Sequence, residues 1–408
     1  MHIVVHDYVA HPFQLQLSRE LARRGHTVHH LYSGSFQGPK GVLDGDASCD
    51  SLNIEAVFLP SPFKKYSFIR RRFQEVSYGK LVAKRIRELR PDVVISTNTP
   101  TEAQAQIEKR SREISAKFII WVQDIYSLAA RRLLRKRVRI VGELVGRYYI
   151  KLEQRLLAKS DEIILITEDF LPIFQSWHIA DDKMHVIPNW ATLAEMPSLP
   201  KVNAWSQEYG VADKFCFLYS GTLGLKHNPD LLLQLALHFQ DDDDIRIVVI
   251  SEGLGADWLN DKKRQLGLDN LLLLDFQPYE RLAQVLAAGD VLVTILDLDA
   301  GVFSVPSKVL TYFCAERPLL LAVPPENLSA KIVTKIEAGL VISPSNVQGF
   351  LEAATELFLD AELRQVNGLN ARRYAEENFD IRHICDQFER IIVRGTGAAA
   401  AGLSVEET

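Results

Sequence analysis

At 408 residues the chain is too long for one ordinary hydrophobic core, so two domains of about 200 residues each are expected. Its composition, 47% hydrophobic and 24% charged, is that of ordinary soluble protein, and no window approaches the roughly 18 apolar residues that a membrane-spanning helix needs. A net charge of −5 argues against a general nucleic-acid binder, but it is unevenly spread: residues 1–200 carry 29 Lys and Arg against 22 Asp and Glu, residues 201–408 carry 18 against 30.

The N-terminal "MHIVVHDYVAHPF" has neither the basic start nor the apolar run of a signal peptide, so the protein is expected to be made and to stay in the cytoplasm. "HIVVHDY" reads as a strand. "PFQLQLSRELARRGH" reads as a helix, with Phe13, Leu17 and Leu21 at helical spacing and Gly25 closing it. "TVHHLYS" is a second strand, followed by a polar loop with "GPKG" and "LDGD". "VFLP", "PDVVIST", "KFIIWVQD" and, after a long basic helical stretch, "DEIILIT" continue the alternation. Proline-rich "MHVIPNWATLAEMPSLPKVNAW" reads as a linker, with a hinge near 190–205. The alternation then restarts with "KFCFLYSG", "IRIVVISEG", "NLLLLDFQP", "DVLVTILD" and "RPLLLAVP". Helices are expected over 347–360 and 361–394, then a tail, 395–408, with too little apolar surface to order. This pattern predicts an α/β protein of two doubly wound Rossmann-like domains, with ligands beyond the carboxyl ends of the strands. Cys49, Cys216, Cys314 and Cys385 are far apart, with no CxxC, and read as reduced thiols rather than a metal or disulfide site.

Three loops carry chemistry. In "KFCFLYSGTLGLKH" a strand runs into Gly221, Thr222 and Gly224, then Lys226 ahead of a leucine-rich helix. Glycines let backbone amides approach an anion, the helix N-terminus adds partial positive charge and Lys226 a full one. That suits a phosphate or diphosphate, although the spacing is not that of a Walker loop; the alternative is a plain strand-to-helix turn with a solvent lysine. "SEGLG", with Gly253 and Gly255, is a second glycine turn at the same sheet edge. In "GVFSVPSK" a helix is expected from Pro306, capped by Ser304, with Ser307 and Lys308 in its first turn. A cation there opposes the helix dipole, which hints at a bound anion; the alternative is a surface lysine. "LDLD" holds Asp297 and Asp299 in the spacing of a metal motif but reads as the loop before this third motif.

Together "VPSK…AERPLLLA", "SRELARRGHTVHHL", "HVIPNW", "YSGTLGLKH" and "VISEGLGADWL" resemble, in order, motifs of the family 4 retaining glycosyltransferases, and within them the bacterial branch that builds colanic acid, O-antigen and similar cell-surface polysaccharides. The resemblance runs over nearly all of residues 1–390. It implies a GT-B fold: an acceptor-binding Rossmann-like domain at 1–195, a nucleotide-sugar domain at 205–375 and a helix at 376–394 crossing back to the first domain. It implies transfer with retention, UDP as the commonest donor nucleotide, no catalytic metal, and donor contacts including Asn189 of "HVIPNW". Three positions depart from the family pattern. The usual glutamate pair falls on Phe303 and Thr311, so ribose recognition must come from elsewhere. Gly221-Thr222 replaces a Gly-Arg, which leaves Lys226 with more of the diphosphate charge. "AHPFQ" stands where a glycine pair usually follows the first strand.

On the acceptor side, Asp124 in "QDIYS" is placed to orient or deprotonate an acceptor hydroxyl, or else to cap a helix. His11 either leans toward the donor phosphate or is structural. "SPFKKYSFIRRRFQEV" (61–76) and the stretch 131–159 mix cations with apolar and aromatic residues, a composition that meets anionic membranes and fits a lipid-linked saccharide acceptor at the inner face of the plasma membrane. Plain solvated helix faces are the alternative, and nucleic acid is not expected. Two other readings remain: a nucleotide-sugar epimerase of the same fold, which would need an acid/base pair, and a non-catalytic nucleotide-sugar or lipid-binding relative, suggested by the missing glutamates.

Overall fold

The structure is a computed structural model, and it describes residues 1–36, 41, 43, 50–61, 68–137, 139–224, 227–298 and 307–395. The chain divides into two compact units: Met1–Pro188 with the chain from Ile381 onward, and Asn189–Asp380.

In the first unit, strands β1 (His2–Asp7), β2 (Thr27–Ser33), β3 (Leu52–Val57), β4 (Val93–Thr97), β5 (Lys117–Val122), β6 (Glu162–Leu165) and β7 (Met184–Val186) form a parallel sheet in the order β3-β2-β1-β4-β5-β6-β7. Helices α1 (Pro12–Arg23), α2 (Phe68–Leu89), α3 (Thr101–Glu113), α4 (Tyr126–Arg137), α5 (Arg139–Lys159) and α6 (Leu171–Ser176) connect them. The strands read as unbroken Val and Ile runs because helices cover both faces of a parallel sheet; β4 and β6 are buried at every position. Between β5 and β6 the connection is a pair, α4 and α5, where one helix would suffice. Two glycines bring the pair close: a Cβ on Gly142 would meet the Leu134 carbonyl at 2.3 Å, and one on Gly146 would meet Arg131 at 2.5 Å.

The second unit repeats the plan with β8 (Phe215–Ser220), β9 (Ile245–Ile250), β10 (Leu271–Leu274), β11 (Val291–Ile295), β12 (Leu319–Ala322) and β13 (Gly339–Ile342), in the order β10-β9-β8-β11-β12-β13. Its helices are α7 (Ala204–Glu208), α8 (Asp230–His238), α9 (Leu254–Leu266), α10 (Leu282–Ala287), α11 (Lys308–Cys314), α12 (Leu328–Lys335), α13 (Val347–Leu359) and α14 (Ala361–Asn378). One core joins Phe217 and Tyr219 of β8 to Leu231, Leu235 and Phe239 of α8 and to Phe350 and Leu357 of α13. The final helix, α15 (Ile381–Val393), belongs to the first unit. Phe388 packs edge-on to Trp121 of β5 at 4.9 Å, Arg24 bonds Asp386 and Glu389 at 2.6 Å each, and Lys117 Nζ donates to the Ile391 carbonyl at 2.6 Å.

Two local expectations change. The segment read as a linker is structured: Met184–Val186 adds β7 to the first sheet, and the chain from Asn189 packs into the second unit with the indoles of Trp190 and Trp205 buried. Burying two of the largest apolar side chains outweighs the turn-forming tendency of the prolines around them. The helical stretch expected over 361–394 breaks at Phe379-Asp380, between α14 and α15. Cys216, Cys314 and Cys385 are buried free thiols, each pushed up to about 12 by burial, and Cys49 lies outside the described residues.

Candidate functional site

In each unit the strand order reverses beside the first strand, between β1 and β4 and between β8 and β11. Helices on either side of such a point start away from each other and leave a crevice at the carboxyl ends of the strands. Residues that the sequence singles out stand at both crevices.

In the second unit β8 ends at Ser220, and Gly221 follows with φ +139°, a conformation that side chains other than glycine's rarely tolerate. The hydroxyl of Tyr312, in α11, donates to the Ser220 carbonyl at 3.1 Å and lies 2.9 Å from the Ser220 amide, which it accepts. The Tyr219 hydroxyl donates to the Thr222 carbonyl at 3.1 Å, and Ser251 Oγ accepts the Leu223 amide at 3.0 Å. Gly253 (φ +110°) stands at the N-cap of α9 and offers no side-chain cap. The Gly255 amide reaches back to the Leu223 carbonyl at 3.1 Å, and a Cβ on Gly255 would meet that oxygen at 2.9 Å. The two glycine turns are therefore one packed unit.

Lys308 closes this edge. Its buried Nζ lies 3.6 Å from the centroid of the Tyr219 ring, and a Cβ on Gly221 would come within 2.6 Å of it. Burial, with the neighbouring Tyr312, keeps the Tyr219 phenol well above its ordinary pKa, so a neutral ring faces the cation. A fixed ammonium, backbone at a glycine turn and an uncapped helix N-terminus at one strand edge form a place for an anion.

These contacts bring together Gly221, Thr222, Gly253, Gly255 and Lys308. Gly224 lies on the same loop, its amide 3.0 Å from His227 Nδ1. Asn189 is half-buried at the head of the unit, and these contacts do not reach it. Lys226 and Ser304 lie outside the described residues, as do Asp299 and Phe303. Pro306, the expected start of the third motif's helix, lies outside the described residues. The helix after the first glycine loop begins at Asp230, whose own carboxylate meets the positive helix end there. The described part of the third motif begins its helix at Lys308, with Ser307 at the N-cap and no side-chain cap bond. Tyr312 and Ser251, which hold the site's shape, were not singled out in the sequence. Tyr312 stands four residues after Lys308, one helical turn on, and that spacing is the signal that points to it.

In the first unit the centre is Asp7, fully buried at the end of β1. Its carboxylate accepts the amides of Val9 at 3.0 Å and His11 at 2.5 Å. The His11 Nδ1 lies 3.4 Å from it and 3.1 Å from the Asn98 amide nitrogen. Gln14, turned so that its nitrogen faces Asp7 at 3.0 Å, accepts from Thr97 Oγ1 at 3.0 Å. Burial alone would raise the Asp7 pKa, but His11, His30 and the Val9 amide outweigh it and hold the carboxyl below its usual range. Burial alone would lower that of His11, but Asp7, Gln14 and Asp124 outweigh it and raise it. Ala10 (φ +69°) and Asn98 (φ +52°) hold left-handed backbone on either side of this group, a strain that clusters at working sites. His11 and Asp124 therefore share one electrostatic neighbourhood, with Asp124 exposed at the end of β5.

Asp124 also acts on Glu153 of α5, which is buried and accepts both the hydroxyl and the amide (3.2 Å) of Ser127. Burial pushes the Glu153 carboxyl up to about 7, against the lowering effect of those bonds and with Asp124 adding to the rise. An acid whose pKa is raised on folding favours the folded state most at low pH and loses that favour as pH climbs from the ordinary carboxylate range to about 7. Glu153→Gln should remove this slope. Between pH 5 and pH 8 the stability difference, followed by urea unfolding of the first unit, should move toward the variant by up to about 3 kcal/mol. Parallel pH curves for the two proteins would show that Glu153 does not hold its proton in the fold.

Comparison with known proteins bears on both units. Residues 10–190 match the family model described as a glycosyl transferase 4-like domain, and residues 202–374 that of glycosyl transferases group 1. A putative colanic acid biosynthesis glycosyl transferase of Escherichia coli K12, WcaI, is 22% identical over 320 residues, 78% of this chain and 77% of that one. Among solved structures, HepE of Anabaena in complex with UDP matches with a TM-score of 0.69 at 14% identity, over 97% of this chain and 100% of the other. Sucrose-phosphate synthase of Thermosynechococcus elongatus matches at 0.75 and 14%, over 98% and 100%. WaaG, a glycosyltransferase involved in lipopolysaccharide biosynthesis, matches at 0.67 and 17%, over 97% and 100%. At these identities the structural likeness is one of fold.

Proposed function

The chain belongs to the family 4 glycosyltransferases of GT-B fold that serve bacterial polysaccharide biosynthesis, a 4-like domain joined to a group 1 domain, and on that premise we propose that it moves a hexosyl group from a UDP-sugar to a lipid-linked saccharide with retention of configuration. The observation that carries the reading is the Lys308 ammonium held against Tyr219 beside the Gly221 turn. A donor diphosphate lies along Gly221, Thr222 and Gly224 and the N-terminus of α9 at Gly253 and Gly255, with Lys226, Ser304, Ser307 and Asn189 completing its contacts. As the sugar–phosphate bond breaks, negative charge grows on the leaving diphosphate. Lys308 and Lys226 stabilise that charge in place of a metal ion, which is catalysis by preorganised electrostatics. The acceptor hydroxyl attacks from the face that the leaving group vacates, and the departing phosphate takes its proton. Asp124 orients that hydroxyl and His11 lends positive charge. UDP is favoured as nucleotide because HepE, which shares the fold, is described in complex with it. The enzyme works on the cytoplasmic side, held at the membrane through 61–76 and 131–159.

The test is a thermal-shift series with UDP, GDP, ADP and their sugar conjugates on wild type and Lys226→Ala. UDP compounds should raise the midpoint of wild type by mass action, with about 2.7 kcal/mol of stabilisation at a hundredfold excess over Kd. The shift should shrink in the variant. A wild type that responds to no nucleotide would overturn the donor site and favour a non-catalytic relative; turnover of donor to an epimer without acceptor would favour the epimerase.

A further inference from the structure

The turn that follows β4 grips the segment around the end of β1 with three successive side chains. Thr97 Oγ1 donates to Gln14 at 3.0 Å, the side-chain amide of Asn98 lies 3.1 Å from His11 Nδ1, and Thr99 Oγ1 lies 3.0 Å from His6 Nδ1. Thr99 gives its own hydrogen to the Thr97 carbonyl at 2.7 Å, so it accepts from His6 and fixes which nitrogen of that ring carries the proton. Asn98 faces the same question at His11. Its backbone is left-handed, φ +52°, a conformation that asparagine tolerates better than most residues. The bonds of Thr97 and Thr99 on either side hold it there.

The proton on His11 Nδ1 decides what the contact with Asn98 is. Asp7 lies 3.4 Å from the same nitrogen, and its carboxyl is held below the usual range, so at neutral pH it is ionised and can only accept. With its nitrogen toward His11, Asn98 would donate to a bare Nδ1, and the lone pair of that nitrogen would sit beside the negative charge of Asp7. Turned about its terminal bond, the amide presents oxygen at the same place, and an Nδ1–H then meets two acceptors. The oxygen and nitrogen of an amide are told apart by such a network.

We infer that Asn98 is a positioning residue for His11: with its amide oxygen toward Nδ1 it joins Asp7 in holding a proton there, which leaves Nε2 as the nitrogen through which the ring takes up and gives up its charge. The His11 side chain keeps 22% of its surface exposed while its Nδ1 is engaged. The groups that favour its charged form are Asp7 at the end of β1, Gln14 in α1 and Asp124 beyond β5, and burial opposes them; His30 of β2 acts on Asp7. The inference rests on the place given to His11 in the proposed transfer, but its first readout needs no donor, acceptor or turnover.

The test is long-range proton–nitrogen correlation NMR of the full chain labelled with ¹⁵N-histidine, the His11 signals assigned by their loss in His11→Gln. At a pH where the ring is neutral, wild type should carry its proton on Nδ1 and show Nε2 as the bare nitrogen. Asn98→Gly keeps the left-handed backbone and removes the amide, so the form with the proton on Nε2 should appear. Asn98→Asp puts a second carboxylate at the same place. It should keep the proton on Nδ1 and raise the titration midpoint of His11 by about one pH unit. Thermal midpoints report that each variant folds. A bare Nδ1 in wild type overturns the inference, since Asn98 then donates to it. So does a folded Asn98→Gly with the wild-type tautomer and midpoint. In transfer from the UDP-sugar that the thermal-shift series selects, the alkaline limb of Asn98→Asp should rise by the same unit. A limb that stays while the NMR midpoint moves would keep Asn98 as the holder of His11 and take His11 out of the transfer reading.

Discussion

Lys308→Ala should lower kcat for sugar transfer by roughly 10²- to 10³-fold, the range seen when one preorganised charge stabiliser is removed. The ammonium lies 3.6 Å from the centroid of the Tyr219 ring and crowds the Gly221 backbone, so its position is set by packing. On the proposed reaction its effect grows with the charge on the leaving diphosphate, so the loss should fall mainly on kcat, with donor KM changing less. Lys308→Arg should rescue poorly. The planar guanidinium is wider than an ammonium, and a Cβ on Gly221 would already come within 2.6 Å of Nζ, a measure of how little room is there. Steady-state kinetics on both variants, with their thermal midpoints as a fold check, decide the matter. A kcat within threefold of wild type would remove Lys308 from the reaction.

The second large effect is expected in the other unit. Asp7→Asn keeps the size of the side chain and removes its charge, and transfer at pH 8 should fall by roughly 10²-fold. Three things change together. The turn from Val9 to His11 loses its charged acceptor. His11 loses its main positive influence while burial still disfavours its charged form. Only the smaller raising influences of Gln14 and Asp124 are left against burial. The alkaline limb of the rate profile should therefore move to lower pH. Stability should follow the opposite sense of pH. The Asp7 pKa is depressed in the fold, so its contribution is present above the ordinary carboxylate range and is lost as pH falls through the folded value. The gap in stability between wild type and Asp7→Asn, of order 1–3 kcal/mol at neutral pH, should thus close on acidification. A variant with wild-type rate and an unmoved alkaline limb would show that Asp7 only shapes the loop.

Parallel strands bury both faces, so β1, β4, β5, β8, β9 and β11 announced themselves as unbroken apolar runs. The glycine loops were legible for a related reason: a strand that stops at glycine is a backbone signal. β7 was hidden because three residues around a polar His185 carry no periodicity, and prolines close by spoke for a linker. Asp7 was hidden because a carboxylate at a strand end looks the same whether it faces solvent or, as here, organises a buried turn. Nothing in "TNTP" says that Asn98 takes a left-handed conformation. Tyr312 was not singled out, and its ring is indeed buried in the core, with only its hydroxyl working on Ser220. The basic stretch 131–159 was visible as a composition, yet only the fold separates the cations that lock the α4–α5 pair from the apolar residues that packing leaves outside.

The first unit is not continuous in sequence: 192 residues, Asn189–Asp380, intervene before α15 returns to it. A ribosome emits the second unit whole while the first still lacks its last helix. At 5–20 residues per second that interval lasts roughly 10–40 s. For all of it the Trp121 ring has no Phe388, and Arg24 and Lys117 have no acceptors on α15. The nascent chain thus presents an apolar seat that the thirteen residues of α15 later fill. A stop codon just after Asp380 would yield a finished second unit tethered to a first unit with that seat permanently open, a molecule fit for chaperones and proteases rather than for catalysis.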